Sequence, residues 1–356
     1  MDVPGFFSNT NLYIIAEGGV NHNGDVQLAM RMIEEASRIG ADAIKFQTWI
    51  TDRVYSKLDS IKPEYQKLGT DPAESEYDTI KKLELSFPEF RQLKDHADKV
   101  GIDFLSTPDE QESADFLINN LRLPLLKVAS QDVDNLPFLT FLGRKRVPVM
   151  LSTGTASMAE VARAVETLQS SGCADLVLLH CTSCYPAPLE SVNLRAMVTL
   201  RDGFHLPVGY SDHTVGREVA CAAVALGACI LEKHFTLSRS LPGPDQQASL
   251  DPGEFREYID TVRMIQKAMG DGIKRPCPEE MPNRLAMRRY LVAAKDLPAG
   301  HKVEAEDVIL KKVVFGLGPA YFDLVVGSRT RAPLSADGRF SLEGLVVEPG
   351  PGVQGV

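Results

Sequence analysis

Long apolar runs are missing from this sequence: no stretch approaches the ~20 consecutive apolar residues needed to span a bilayer. A membrane partner is therefore not expected. Cysteine is scarce, with six in 356 residues, which excludes a disulfide scaffold and fits a reducing compartment. The opening MDVPGFFSNTNL has neither the basic nor the long apolar region of a signal peptide. Together these features lead us to expect a cytoplasmic protein. An excess of basic charge is absent too. The formal net charge is −10, and Lys and Arg are scattered rather than gathered in a stripe. That argues against nucleic acid as a partner, while a small anion needs only a few local cations. Heptads, low-complexity tracts and solenoid repeats are all lacking.

What is present is an alternation. Short β-rich apolar runs recur at LYIIAEG (12–18), AIKFQT (43–48), DFLSTP (103–108), LLKVAS (125–130), VPVMLST (147–153), LVLLHC (176–181), PVGYSD (207–212) and CILEKHF (229–235). Helical patterns lie between them, clearest at 25–39, 88–100, 158–170, 217–227 and 252–269, several opening on an N-cap signal such as Asp25. Near-continuous apolar strands alternating with amphipathic helices indicate a parallel sheet covered by helices. Eight such units by about residue 270 predict an α/β fold, a (β/α)8 TIM barrel. An open doubly wound sheet is the alternative, but no GxGxxG follows the first strand.

Residues 49–87 are too long and polar for an ordinary βα loop and are expected to form a lid or a ligand-contacting insertion. The reading assigns 1–270 to the barrel, 271–285 to a Pro-containing linker and 286–350 to a small independent domain.

The segment ACILEKHFTL (228–237) poses the functional question, because an apolar run ends in Glu232, Lys233 and His234. Side chains alternate faces along a strand, so Glu232 and His234 share one face and Lys233 takes the other. In a barrel of this class the active site lies at the C-terminal strand ends. All eight strands finish in polar groups: Glu17; Lys45 and Gln47; Ser106 and Thr107; Lys127 and Ser130; Ser152 and Thr153; His180 and Thr182; Ser211, Asp212 and His213; Glu232 and His234.

Lys45 and Lys127, with nearby hydroxyls, suit phosphate or carboxylate oxygens. His213 and His234 end adjacent strands and suit one divalent cation. The plainer readings are lysines paired with carboxylates and a His213 that only caps the next helix. Cys181 and Cys184 form a lone CxxC, a weak zinc signal without thioredoxin-like context, and Cys181 is expected to pack in the barrel wall.

In this order, the motifs AEGGVNHNGD (16–25), KFQT (45–48), STP (106–108), KVAS (127–130), LSTG (151–154), HCTSCYP (180–186), GYSDHT (209–214), LEKHFTL (231–237) and GPD (243–245) resemble those of the N-acetylneuraminate (sialic acid) synthase family. RRYLVAAKDLPAG (288–300) is similar to the start of that family's antifreeze-like (SAF, β-clip) domain. The resemblance implies condensation of phosphoenolpyruvate with an open-chain N-acylated hexosamine, giving a nine-carbon 2-keto acid such as N-acetylneuraminate or legionaminate, and phosphate.

The resemblance also implies a metal, commonly Mn2+ with Mg2+ or Co2+ as alternatives, on His213 and His234. It places phosphoenolpyruvate against Lys45, Lys127, Thr107, Ser130, Ser152, Ser183 and Ser211, and the sugar against Gln47, Tyr185, Glu232 and Asp245. Glu17, Glu232 and Lys45 are the expected catalytic residues, and a domain-swapped homodimer is the expected assembly. Two departures stand out. Asp109 follows STP where the family commonly has Phe, and LKKVVFGLGPAYF (310–322) contains no Arg where the family has a capping one, leaving Lys311 and Lys312 as candidates. A metal-dependent sugar isomerase or aldolase and a non-enzymatic sugar-binding protein are the competing readings.

Overall fold

Eight short strands close on themselves around a narrow apolar plug. In the computed structural model, which describes residues 12–58, 62, 70–71 and 73–347, they are β1 (Tyr13–Gly19), β2 (Ala43–Thr48), β3 (Asp103–Pro108), β4 (Leu126–Val128), β5 (Val149–Ser152), β6 (Leu176–Cys181), β7 (Val208–Asp212) and β8 (Ile230–His234). The order β3-β2-β1-β8-β7-β6-β5-β4 is parallel throughout, and β3 lies against β4 to complete the ring. The fold is the expected TIM barrel. Residues 1–11, part of the 49–87 insertion and the last residues of the expected small domain lie outside the described residues.

Strand parity organises everything that follows. Ile15, Ala43, Leu105, Leu125, Met150, Leu179 and Ile230 point inward and fill the barrel. Their neighbours in sequence, such as Ile14, Ile44, Phe104 and Leu231, point outward into the larger core beneath the helices. The helices begin where local chemistry says they should. Ser86 with Glu89, Ser157 with Glu160, and Asp251 with Glu254 form capping boxes at Phe87–Val100, Met158–Ser170 and Pro252–Met269. Asp25 caps Val26–Ile39 by accepting from the Gln27 N–H, and Gly40 at φ 90° ends that helix.

Leu136–Lys145 and Arg195–Phe204 are also helical, though their Pro or Gly residues obscure the period. Gly143 has a packing reason: a Cβ there would lie 2.7 Å from the Leu168 carbonyl oxygen of the neighbouring helix. Among the described residues, no helix is long and apolar enough to cross a membrane.

The chain divides into two compact units, Met1–Asp271 and Gly272–Val356. In the second, Met281–Met287 is a short helix, Tyr290–Ala293 pairs antiparallel with Val308–Lys311, and Arg329–Thr330 pairs with Leu345–Val346. Its own core contains Leu291, Val303, Val325 and Phe340. Asp307, almost fully buried, ties its turns by accepting from the Glu304 N–H and from His301, while Lys295 stands 2.8 Å away. Of the two candidate capping lysines, Lys311 is paired with Asp337 and Lys312 is exposed.

Candidate active site

Two residues beyond each inward plug residue, every strand presents another inward side chain. These are Glu17, Lys45, Thr107, Lys127, Ser152, Cys181, Ser211 and Glu232, one from each of β1 to β8, and all line one cavity of about 350 Å3. Two residues higher still, Gln47, Asp109, Ser183, His213 and His234 line its upper part, with Ser130, Tyr185 and Asp245 from the following loops. Every site residue expected from the sequence lines this cavity. The other polar strand-end groups have odd parity and turn outward. Ser106 is hydrogen-bonded to Thr48, Thr153 donates to the Leu179 carbonyl, His180 donates to the Val192 carbonyl, and Asp212 pairs with Lys233 at 3.0 Å.

The lower layer is a charge network. Lys45 Nζ lies 2.5 Å from Glu17 and 3.8 Å from Glu232, and donates to Thr107 at 3.0 Å. Lys127 Nζ lies 3.8 Å from Glu232, which also accepts from Ser211 at 3.1 Å. The plainer reading of the lysines therefore also holds, since both pair with carboxylates.

Burial raises Glu17's proton affinity, and Lys45 only partly opposes it. Glu232 is equally buried, yet Lys127 and Lys45 outweigh the burial and hold its carboxyl below the usual range. Burial works against the charge on Lys45, but Glu17 and Glu232 keep it above its ordinary value, whereas burial followed by Lys45 lowers Lys127. Two carboxyls facing two cations are thus pushed apart in proton affinity, an arrangement typical of acid–base sites.

The upper layer holds the imidazoles, whose ring centroids are 5.5 Å apart, with the Tyr185 ring 4.0 Å from that of His213. His213 does not cap a helix. Its Nδ1 donates to the Thr182 carbonyl at 2.8 Å, which turns Nε2 away from that carbonyl. Burial, then His213, keeps His234 well below the ordinary value, so it is neutral. His234 Nδ1 is buried without a hydrogen-bond partner, as are Asp245 Oδ1 and Ser152 Oγ. Burial pushes Asp245 up to about 6. Among the described residues no set of three or more His, Cys, Asp or Glu is gathered for a metal ion. Burial opposes a charge on His213, but the neighbouring Cys181 thiol outweighs it and raises that ring's proton affinity, so His213 would have to give up its Nε2 proton to a metal. The two imidazoles fit a divalent ion only if water or substrate oxygens complete its shell.

One expectation is corrected. Cys181 does not pack in the barrel wall; it follows the inward Leu179 by two and lines the cavity, its Sγ 3.6 Å from His213 Nδ1. Cys184 is exposed, and both thiols are free. Sequence reasoning also missed Val20, Gln131, Thr155, and Tyr55 and Ile80 from the insertion, all of which line the cavity. Parity would have found Cys181; no local signal marks Tyr55 or Ile80. At Gly154 a Cβ would fall 2.3 Å from Ser183 Oγ and 2.8 Å from Ser130 Oγ, so only glycine lets these hydroxyls converge.

Residues 32–274 match the NeuB family and residues 288–338 the SAF domain. An N,N'-diacetyllegionaminic acid synthase from Legionella pneumophila is 43% identical over 92% of this chain and 93% of its own length. The human N-acetylneuraminate-9-phosphate synthase is 36% identical over 81% of this chain and 79% of its own. The crystal structure of an N-acetylneuraminic acid (sialic acid) synthetase from Leptospira borgpetersenii, in complex with citrate, superposes with a TM-score of 0.68 at 34% identity, covering 77% of this chain and 90% of that one. The chain belongs to the NeuB family.

Proposed function

We propose that the protein condenses phosphoenolpyruvate with an open-chain N-acylated hexosamine and water, releasing phosphate and a nine-carbon 2-keto sugar acid. One observation carries the reading: two lysines, a ring of hydroxyls and, one layer higher, two imidazoles line one cavity. The lower layer suits an anion with both carboxylate and phosphate oxygens, and the upper layer suits a polar aldehyde. An isomerase needs no phosphoenolpyruvate, so phosphate release separates the two readings. The 43% identity to two N,N'-diacetyllegionaminic acid synthases supports a nonulosonate product.

In this reading Lys45, Lys127, Thr107, Ser130, Ser152, Ser183 and Ser211 orient phosphoenolpyruvate, so that its methylene carbon faces the aldehyde. A divalent ion held by His213 and His234, with Mn2+ the first candidate and Mg2+ or Co2+ the alternatives, would supply Lewis-acid polarisation of the aldehyde oxygen. The enol carbon forms a bond to the aldehyde carbon, whose oxygen takes a proton from solvent, one that is returned when water later gives its proton to Glu17. Positive charge then develops on the phosphate-bearing carbon, beside the Glu232 carboxylate.

Water adds to that carbon and gives its proton to Glu17, the carboxyl with the higher proton affinity. Collapse to the ketone breaks the carbon–oxygen bond and expels phosphate, whose bridging oxygen takes up the hydroxyl proton. Gln47, Tyr185 and Asp245 hold the sugar. The family resemblance and the SAF match support a homodimer in which the small domain of one subunit covers the barrel mouth of the other. The unpaired cysteines fit a cytoplasmic enzyme.

Incubation with phosphoenolpyruvate and a panel of hexosamines tests the reading. Phosphate should appear only when both substrates and a divalent ion are present. Phosphate release that ignores the sugar, or sugar turnover that ignores phosphoenolpyruvate, would refute it.

A further inference from the structure

Asp109 is a carboxyl that the chemistry above leaves unused. It stands two residues beyond Thr107, so parity turns it into the barrel mouth, in the layer of Gln47, His213 and His234. Its own N–H is anchored on the Thr48 carbonyl at 3.1 Å, while its side chain is influenced by burial and by the charges of Asp132 and Lys45 but makes no hydrogen bond to a described residue. Burial, then Asp132, pushes this carboxyl up to about 8. Near neutral pH it is thus largely protonated and can both donate and accept.

Its surroundings narrow what it can meet. β1, β2 and β3 are consecutive in the sheet. The loops after β1 and β2, with the insertion, supply Val20, Tyr55 and Ile80 to the cavity on that side, backed by Trp49 and Leu83. The imidazoles rise from β7 and β8, and β7 stands across the barrel from β3. A sugar whose aldehyde lies at the imidazoles therefore extends its far end toward Asp109. A hydrogen-bonding carboxyl beside an apolar wall matches a substituent that is half amide and half methyl.

We infer that Asp109 is a specificity-determining residue that hydrogen-bonds an acylamido substituent remote from the aldehyde, with the acyl methyl against Val20, Tyr55 and Ile80. The inference rests on the proposed condensation and adds to it the preferred sugar, a hexose carrying a second acylamido group. The test compares kcat/KM for N-acetylmannosamine and for a diacetamido-trideoxyhexose, at saturating phosphoenolpyruvate, in the wild type, Asp109→Ala and Asp109→Asn.

The wild type should favour the diacetamido sugar. Asp109→Ala should lose about tenfold or more of that preference with the phosphoenolpyruvate KM unchanged, because the amide is left unpaired. Asp109→Asn keeps a donor and an acceptor and should retain the preference. An unaltered preference in Asp109→Ala, or an equal loss for both sugars, would overturn the assignment while leaving the condensation standing. A wild type that releases no phosphate with either sugar would overturn the condensation itself, and the role of Asp109 with it.

Discussion

Lys127 is the residue whose removal separates the two substrates. It is buried and faces Glu232 at 3.8 Å, and it lies in the lower layer, away from the imidazoles. Lys127→Ala should lower kcat/KM for phosphoenolpyruvate by at least about tenfold, roughly 1.4 kcal/mol of transition-state stabilisation, with the sugar KM little changed. Steady-state kinetics with each substrate varied in turn decides it, and a change confined to the sugar KM would move the lysine to the other substrate.

His22 offers a test of stability at the same scale. It is fully buried, its Nδ1 accepts from the Gly24 N–H at 3.0 Å, and its Nε2 has no partner. Burial lowers its pKa to about 4, with Asp25 opposing weakly. The unfolded chain, with an ordinary histidine near 6.5, binds the proton more tightly than the folded one. This contribution is therefore fully present above that value and is lost as pH falls toward 4. Between about pH 7.5 and about pH 5 it should remove about 2 kcal/mol. Urea unfolding of wild type and His22→Asn at both pH values checks this: the variant should show a smaller pH dependence.

At the scale of elements, the barrel and most of the site were legible because both follow strand parity. Glu232 and His234 share a face with Ile230, and the same two-residue step leads from Ala43 to Lys45 and from Leu105 to Thr107. The same step from Leu179 makes Cys181 inward-facing, a parity masked in the sequence by the more conspicuous CxxC spacing. Tyr55 and Ile80 were not legible, because an insertion reaches the cavity through tertiary packing with Val20 and Trp49 rather than through any local period. Helices at 136–145 and 195–204 were obscured by Pro137, Gly143 and Gly203.

β7 is the strand whose plug position is a glycine. A Cβ on Gly209 would lie 2.5 Å from Leu179 Cδ2 and 2.7 Å from the Ile230 carbonyl oxygen, which cannot yield without moving β8. Gly209→Ala should therefore cost about 1–3 kcal/mol by overpacking. It should also reduce activity, since Ser211 lies on the same strand and His213 directly follows it. Unfolding by urea measures the first effect, and a neutral result would mean that the barrel interior is looser there than these distances imply.

At the scale of the whole molecule, the question is why a barrel with its own complete core carries a second unit with a separate one. If the second unit covers a partner's barrel mouth, truncation after residue 282 should leave a folded barrel with little synthase activity. Mixing truncated chains with full-length chains carrying His234→Ala should restore part of it, because the inactive chain lends its small domain to an intact barrel. A truncated barrel that is fully active alone would defeat the assembly.

The condensation itself is tested most directly by following oxygen. With phosphoenolpyruvate labelled by heavy oxygen at the bridge between carbon and phosphorus, and an N-acylated hexosamine in ordinary water, all of the label should leave in phosphate. In heavy-oxygen water the phosphate should stay unlabelled while a nine-carbon 2-keto acid forms in equal amount. Transfer of oxygen from water to phosphate, or loss of phosphoenolpyruvate without a sugar acid, would contradict it.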